Sequence, residues 1–224
     1  MSEVAEKTAV ATPREPLFSA KNKKLLTDPF DDNNPITVQV LGICSALAVT
    51  TQVYPALVMA ISVVFVCAFA NLTISLLRNG VPPRIRMIVQ LVVIATLVTI
   101  VDQMLKAFAY DVSKELSVFV GLIITNCIVM GRLEAFAMGN KPWPAFLDGV
   151  GNGLGYGAIL IVVAVCREFF GAGTILGYKL IPEAIYSAGY MDNGVMLTPA
   201  AAMFVIGVLI WIQRARNTKL VDIS

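Results

Sequence analysis

Apolar and polar residues alternate along this chain in long blocks. Six predominantly apolar stretches, separated by short polar or basic links, predict six helical elements. They are Ile36–Thr51, Ala56–Leu77, Met87 to Ala109, Leu116–Arg132, Leu147–Cys166 and Val195–Ile212. The second and third are long enough to cross a bilayer. The first and fourth are not: each runs for about sixteen residues, against the ~20 that a spanning helix needs. Both short stretches are also interrupted alike. Gly42 precedes Cys44-Ser45 in the first, and Gly121 precedes Thr125-Asn126-Cys127 in the fourth. Short, glycine-interrupted hydrophobic segments at corresponding places in two halves of a membrane protein point to a site near the midplane. The expected fold is therefore all-α and integral to the membrane, with six transmembrane elements as two inverted three-helix repeats and broken helices 1 and 4. An odd number of elements per half makes the second half enter from the opposite side.

Composition agrees with membrane residence. Of 224 residues, 57% are hydrophobic and 14% charged, too few polar groups to cover a water-soluble domain of this size. Residues 1–34 are rich in Lys, Glu, Pro, Asp and Asn, lack the apolar run of a cleavable signal peptide, and read as a flexible amino-terminal tail. The membrane domain is then 35–216 and the carboxyl-terminal tail 217–224. Asp31-Asp32-Asn33-Asn34-Pro35 reads as the cap of the first helix. Lysine and arginine collect on one side: the amino-terminal tail, Arg78, Arg84, Arg86, Arg132, Lys141, Arg214, Arg216 and Lys219. The other side has Lys106, Lys114, Arg167 and Lys179. That asymmetry predicts cytoplasmic amino and carboxyl termini. Arg78 and Arg167, at the ends of long apolar runs, read as interfacial anchors whose stems snorkel.

The chain contains no histidine, which excludes histidine-ligated haem, histidine metal sites and histidine acid–base catalysis. Its four cysteines, Cys44, Cys67, Cys127 and Cys166, lie in apolar stretches and form no CxxC pair, unlike a zinc ribbon or a secreted disulfide framework. A cysteine in a membrane helix is most often a small packing residue, and Cys67 and Cys166 fit that description. Cys44 and Cys127 sit in the matched broken segments beside glycine and polar residues. An iron–sulfur cluster usually takes four thiolates, so two would hold half of one and a second protein chain would supply the rest.

Gly149-Val150-Gly151-Asn152-Gly153-Leu154-Gly155-Tyr156-Gly157 has no strand before it to make a dinucleotide loop. Glycines four apart on a membrane helix instead predict close helix packing. Gly171-Ala172-Gly173-Thr174 lacks the Ser-Gly-Ala-Thr pattern of proteins that attach flavin through threonine. Two acids stand out, Asp102 near the end of the third stretch and Asp148 at the start of the fifth. Intramembrane acids mark ion pathways, unless they lie at headgroup level where charge costs little.

Several segments together resemble one family. Asp32-Asn33-Asn34-Pro35, Leu41-Gly42-Ile43-Cys44-Ser45-Ala46-Leu47, the Thr125-Asn126-Cys127 segment, Glu134-Ala135-Phe136-Ala137-Met138 and the glycine run from Asp148 to Gly157 are similar to the NqrD/RnfE family of membrane subunits, and most closely to its sodium-pumping NADH:quinone oxidoreductase branch. The resemblance covers nearly everything after residue 30. It implies a subunit, not catalytic alone, of a bacterial inner-membrane translocase that carries electrons from NADH to ubiquinone and exports Na+. By resemblance, Cys44 and Cys127 are ligands of an intramembrane 2Fe–2S cluster shared with the homologous E-type membrane subunit in inverted orientation. The cluster relays electrons between flavin cofactors (FAD, FMN and riboflavin) held elsewhere in a six-subunit complex that also includes A-, B-, C- and F-type members. Asp102 and Asp148 match acids implicated in the family's sodium path. No nucleic-acid partner is expected. The competing readings are a subunit of the Rnf-type ferredoxin:NAD+ oxidoreductase, a cofactor-free inverted-repeat transporter, and an inert membrane scaffold.

Overall fold

The computed structural model of the chain describes residues 25–30, 33–78, 80–82, 84–108, 121–175, 178–179 and 194–216. The tails 1–24 and 217–224 and the link Asp111–Glu115 lie outside the described residues. Among the described residues, the helices with both ends defined are α1 Ile43–Val49, α2 Val53–Leu77, α3 Arg86–Phe108, α4 Cys127–Arg132, α5 Pro142–Ala172 and α6 Pro199–Arg216. Four of them, α2, α3, α5 and α6, are long and apolar enough to cross a membrane. The protein is an all-α membrane protein. A two-residue ladder pairs Thr174–Ile175 with Tyr178–Lys179 after α5.

Both short elements are interrupted, the first at Gly42 as expected and the second not at Gly121, which is helical, but at Thr125-Asn126. In the first, Asn34 Oδ1 accepts from the N–H groups of Ile36 and Thr37 at 3.0 and 3.3 Å, opening a run of turns. The chain then passes through two left-handed residues, Val40 (φ 57°) and Gly42 (φ 78°), before α1 starts. A β-branched residue at positive φ is strained, so surrounding contacts must hold this bend. In the fourth stretch, helix over 121–124 stops at Thr125-Asn126 and resumes as α4. Asn126 Oδ1 caps the new helix by accepting from Ile128 N at 3.3 Å. One π-helical turn, Leu133–Ala137, follows α4.

The core is the α2–α5 pair. A Cβ placed on Gly149 would lie 2.8 Å from Cys67 O and Ala68 Cα; on Gly153, 2.8 Å from Val64 Cα; on Gly157, 3.0 Å from Ala60 Cβ. As α5 advances, its partners on α2 recede, so the helices run antiparallel with their backbones in contact. The intervening glycines face the other way: a Cβ on Gly151 would meet Leu25 O at 2.6 Å, and one on Gly155 would meet Pro29 O at 2.5 Å. Residues two apart on a helix point to nearly opposite sides. The run from Gly149 to Gly157 therefore seats α2 on one face of α5 and residues 25–29 on the other. Asn34 Nδ2 adds a bond to Gly155 O at 3.3 Å. The end of the expected flexible tail is thus helical at 25–27 and 28–30 and packed against α5.

Two further expectations change. The fifth helix begins at Pro142, not at Leu147, so Trp143 and Pro144 are helical. Prolines fit there because the first N–H groups of a helix have no intrahelical partner. It ends at Ala172 with Gly173 in the left-handed conformation (φ 63°), an ordinary glycine stop. Arg167 is not an interfacial anchor: it is fully buried. Its guanidinium donates to Leu47 O and Thr50 Oγ1 at the end of α1, and to Met196, Leu197 and Thr198 carbonyls before α6. Beside it, Glu168 Oε2 accepts from Val53 N at 2.6 Å and so caps α2.

Substituting alanine at Gly149 or Gly153 drives a methyl into backbone that cannot move aside, and overpacking of this kind costs about 1–3 kcal/mol. Either variant is expected to lower the thermal midpoint of the detergent-solubilised protein by several degrees. Gly207→Ala, with nothing within 4 Å, leaves it unchanged. Equal midpoints across the three variants would show that the stripe is not a packing seam.

Candidate functional site

The bend at 40–42 and the break at 125–126 lie against each other. A Cβ on Gly42 would come within 3.2 Å of Asn126 Oδ1, and one on Gly131 within 3.1 Å of Leu41 Cδ1. This crossing brings together the first turns of α1 and α4, where Cys44 and Cys127 stand. The two cysteine side chains are thereby neighbours. Both cysteines are exposed on the surface of the chain. Of the other two, Cys67 is fully buried in the α2 seam and Cys166 is partly buried on α5.

Beneath the crossing lies Tyr156, fully buried on α5. Its hydroxyl is 2.7 Å from Ser45 Oγ, next to Cys44, and its ring shares the space beside Gly42 with the Asn126 side chain, next to Cys127. Ser45 Oγ in turn donates to Gly42 O at 2.9 Å. Tyr156 stands near the centre of α5, with Pro142–Gly155 before it and Gly157–Ala172 after it. A helix of 31 residues is longer than a ~30 Å hydrocarbon layer requires.

A pair of adjoining thiols at an exposed surface suits a soft metal or an iron–sulfur cluster. Among the described residues no group of three or more His, Cys, Asp or Glu side chains could hold a metal. The donor set is thus half of what a cluster takes, and its open side faces outward.

The two acids are placed differently. Asp102 lies on α3 and pairs with Lys106 one turn on, Nζ to Oδ2 at 2.5 Å. Asp148 is 2% exposed and forms a two-pronged pair with Arg132, through Nη2 to Oδ1 and Nε to Oδ2, the latter at 3.0 Å. Asn152 Nδ2 donates to the same Oδ1 at 3.0 Å. Asp148 and Arg132 thereby tie α5 to the end of α4. The structure does not bring Asp102 to the cysteine pair. Glu134, in the π-turn, pairs with Arg86 at 2.5 Å and accepts from Gln90 at 3.0 Å, linking that turn to the start of α3.

Sequence reasoning found the cysteines and their polar neighbours but missed Tyr156, Arg167 and Glu168. For Tyr156 a signal existed: a phenol inside a glycine run at the centre of an apolar helix needs a buried partner for its hydroxyl. For Arg167 and Glu168, adjacent charges closing an apolar run look the same whether they face headgroups or protein.

Residues 22–210 match the family model described as Rnf-Nqr subunit, membrane protein. Similar proteins include one from Aeromonas hydrophila whose name is that of the D-type subunit of Na(+)-translocating NADH-quinone reductase, 58% identical over 200 residues that cover 89% of this chain and 95% of the relative. Proteins of the same name from Aeromonas salmonicida and Photobacterium profundum are also 58% identical, over 89% and 86% of this chain and 95% and 91% of theirs. The chain belongs to the Rnf-Nqr family of membrane subunits.

Proposed function

We propose that this chain is the D-type membrane subunit of a sodium-translocating NADH:quinone reductase in the bacterial inner membrane. In this reading Cys44 and Cys127 hold one half of a 2Fe–2S cluster completed by two cysteines of the homologous E-type subunit. The observation that supports this reading is the crossing of two interrupted segments, whose first turns carry those two exposed cysteines. The relatives' name supports the assignment to this complex. The cluster, when bound, supplies a one-electron carrier inside the membrane, between flavin cofactors (FMN, riboflavin, with FAD and NADH further upstream) on the A-, B-, C- and F-type members. The work of this chain is to hold the two sulfurs at fixed spacing, keep water and lipid from their inner side, and offer their outer side to the E-type partner.

The order of elements, short then long then long in each half, supports an inverted three-plus-three repeat, as does the antiparallel contact of the corresponding helices α2 and α5. Residues 35–216 form the membrane domain, with both tails cytoplasmic. For sodium, Asp102 and Asp148 are the acids at the two ends of the path. Asp148 must exchange the Arg132 guanidinium for the ion to take part, whereas Asp102 need only release an exposed lysine.

Cys44→Ala and Cys127→Ala are each expected to remove the iron signal of the purified complex and to stop NADH-to-quinone electron flow. Cys67→Ala and Cys166→Ala keep both. Iron analysis with electron paramagnetic resonance checks this, and full iron in the Cys44→Ala, Cys127→Ala double variant would refute it.

The acids separate by stability. An exposed i,i+4 pair is worth about 0–1 kcal/mol, so Asp102→Asn folds normally and reports on sodium alone: sodium activation of quinone reduction falls. Breaking a buried pair by removing one partner costs about 3–5 kcal/mol. Asp148→Asn and Arg132→Met therefore each lower the thermal midpoint markedly, and Asp148→Leu with Arg132→Met recovers much of the loss. Unchanged sodium activation in Asp102→Asn would remove that residue from the path.

For topology, a single cysteine introduced at Lys219 should react with impermeant maleimide only in inside-out vesicles. Labelling in right-side-out vesicles alone would reverse the orientation.

A further inference from the structure

We propose that Tyr156 is a positioning residue for the iron centre: its hydroxyl locks the two cysteine-bearing turns together and so sets the Cys44–Cys127 separation. This rests on the cysteine assignment above and goes beyond it to a residue outside the ligand set.

The chain of contacts has a direction. Ser45 has one hydroxyl proton, and it goes to Gly42 O at 2.9 Å. The short 2.7 Å contact between Ser45 Oγ and the Tyr156 hydroxyl is therefore donated by the tyrosine. The tyrosine oxygen keeps its lone pairs, and the Asn126 side chain stands beside the ring, since a Cβ on Gly42 would meet both Tyr156 Cε2 and Asn126 Oδ1. Asn126 Nδ2 is buried without a hydrogen-bond partner, while Oδ1 of the same amide caps α4, so the phenol oxygen is the acceptor we assign to it. One phenol thus lies between the residue after Cys44 and the residue before Cys127. The fit around it is close, since a Cβ on Gly42 would stand 3.0 Å from Tyr156 Cε2. Tyr156 belongs to the centre of α5, where glycines seat the backbone against α2 on one side and residues 25–29 on the other. It refers both short segments to one rigid helix.

Three features make this more than a satisfied core tyrosine. Tyr156 stands between two segments far apart in sequence, bonded to Ser45 of one and packed beside Asn126 of the other. Each contact falls on a residue adjacent to a ligand, where a shift in backbone is passed directly to a sulfur. Hydrogen bonds in a low-dielectric interior are also stronger and less replaceable than those in water, and outer partners that orient metal ligands commonly govern affinity by about 10–100-fold.

The test uses the assembled complex carrying Tyr156→Phe, which keeps the ring under Gly42 and removes only the hydroxyl. Iron loss to an excess of the chelator bathophenanthroline should quicken about tenfold, and the resonance line shape and midpoint potential of the iron centre should shift. The thermal midpoint of the complex should stay close to that of the parent. Ser45→Ala should move the same readouts in the same direction, while Ser75→Ala, which breaks a hydroxyl bond to Asn140 O at the far end of α2, should move none. Parent-like iron loss, line shape and potential in Tyr156→Phe would overturn the positioning role. So would a fall in thermal midpoint with an unchanged resonance. A Cys44→Ala complex that retains the iron signal would overturn the cysteine assignment and this role together. Loss of that signal with a parent-like Tyr156→Phe overturns the positioning role alone.

Discussion

Inside a bilayer, backbone that leaves the helix must find its hydrogen bonds within the protein, because lipid supplies none. Every unusual feature here depends on meeting that demand. Two segments are interrupted, at 40–42 and at 125–126, and neither interruption is supported from its own neighbourhood alone. Both rest on α5. Tyr156 supports the start of α1 through Ser45, Arg167 receives the carbonyls at its end, and Glu168 caps α2 immediately afterwards. A seven-residue helix has too few internal bonds to be stable by itself. Held at both ends by one long helix, it needs no stability of its own.

That role explains why α5 carries so many glycines. Between apolar helices in lipid there is no hydrophobic gain from association, and close van der Waals contact takes its place. Gly149, Gly153 and Gly157 let the α2 backbone approach, while Gly151 and Gly155 do the same for residues 25–29 on the opposite side. Glycine weakens a helix interior by about 0.5–1 kcal/mol each relative to alanine. Five in nine positions are tolerable only where packing on both sides returns more than that. A helix clamped on two faces is also the most precise place from which to locate a pair of thiols.

The legible part of the fold was local. Segment length exposed the two elements that cannot span, Gly42 marked where the first breaks, and four-residue glycine spacing predicted close packing of α5; Gly121 misplaced the second break, which an asparagine cap sets at 125–126. The rest was written in partners far away in sequence. Arg167 looked like a headgroup anchor because its five acceptors lie on α1 and before α6, from Leu47 to Thr198. The partner of Asp148 was equally hidden, because nothing near it in sequence announces Arg132, one short helix earlier. The second glycine stripe was hidden by the first: reading four-residue steps from Gly149 leaves Gly151 and Gly155 without a task until residues 25–29 are seen against them. Prolines at 142 and 144 suggested a loop, although a helix start is where proline is best tolerated.

The charges show where this chain is finished and where it is not. Arg132 and Asp148 neutralise one another, Arg167 is enclosed by carbonyl and hydroxyl oxygens, and Glu168 is held by a helix N-terminus and Thr174. Each is matched within the chain. Among the described residues, the Cys44–Cys127 pair leaves two thiols at an exposed surface. Deprotonated sulfur facing hydrocarbon is costly, and a bound cation with a second protein surface removes that cost. Two thiols from two interrupted segments are half of the four that a cluster takes, so the centre proposed above needs a second protein surface, and the exposed side of the pair is where that surface would sit.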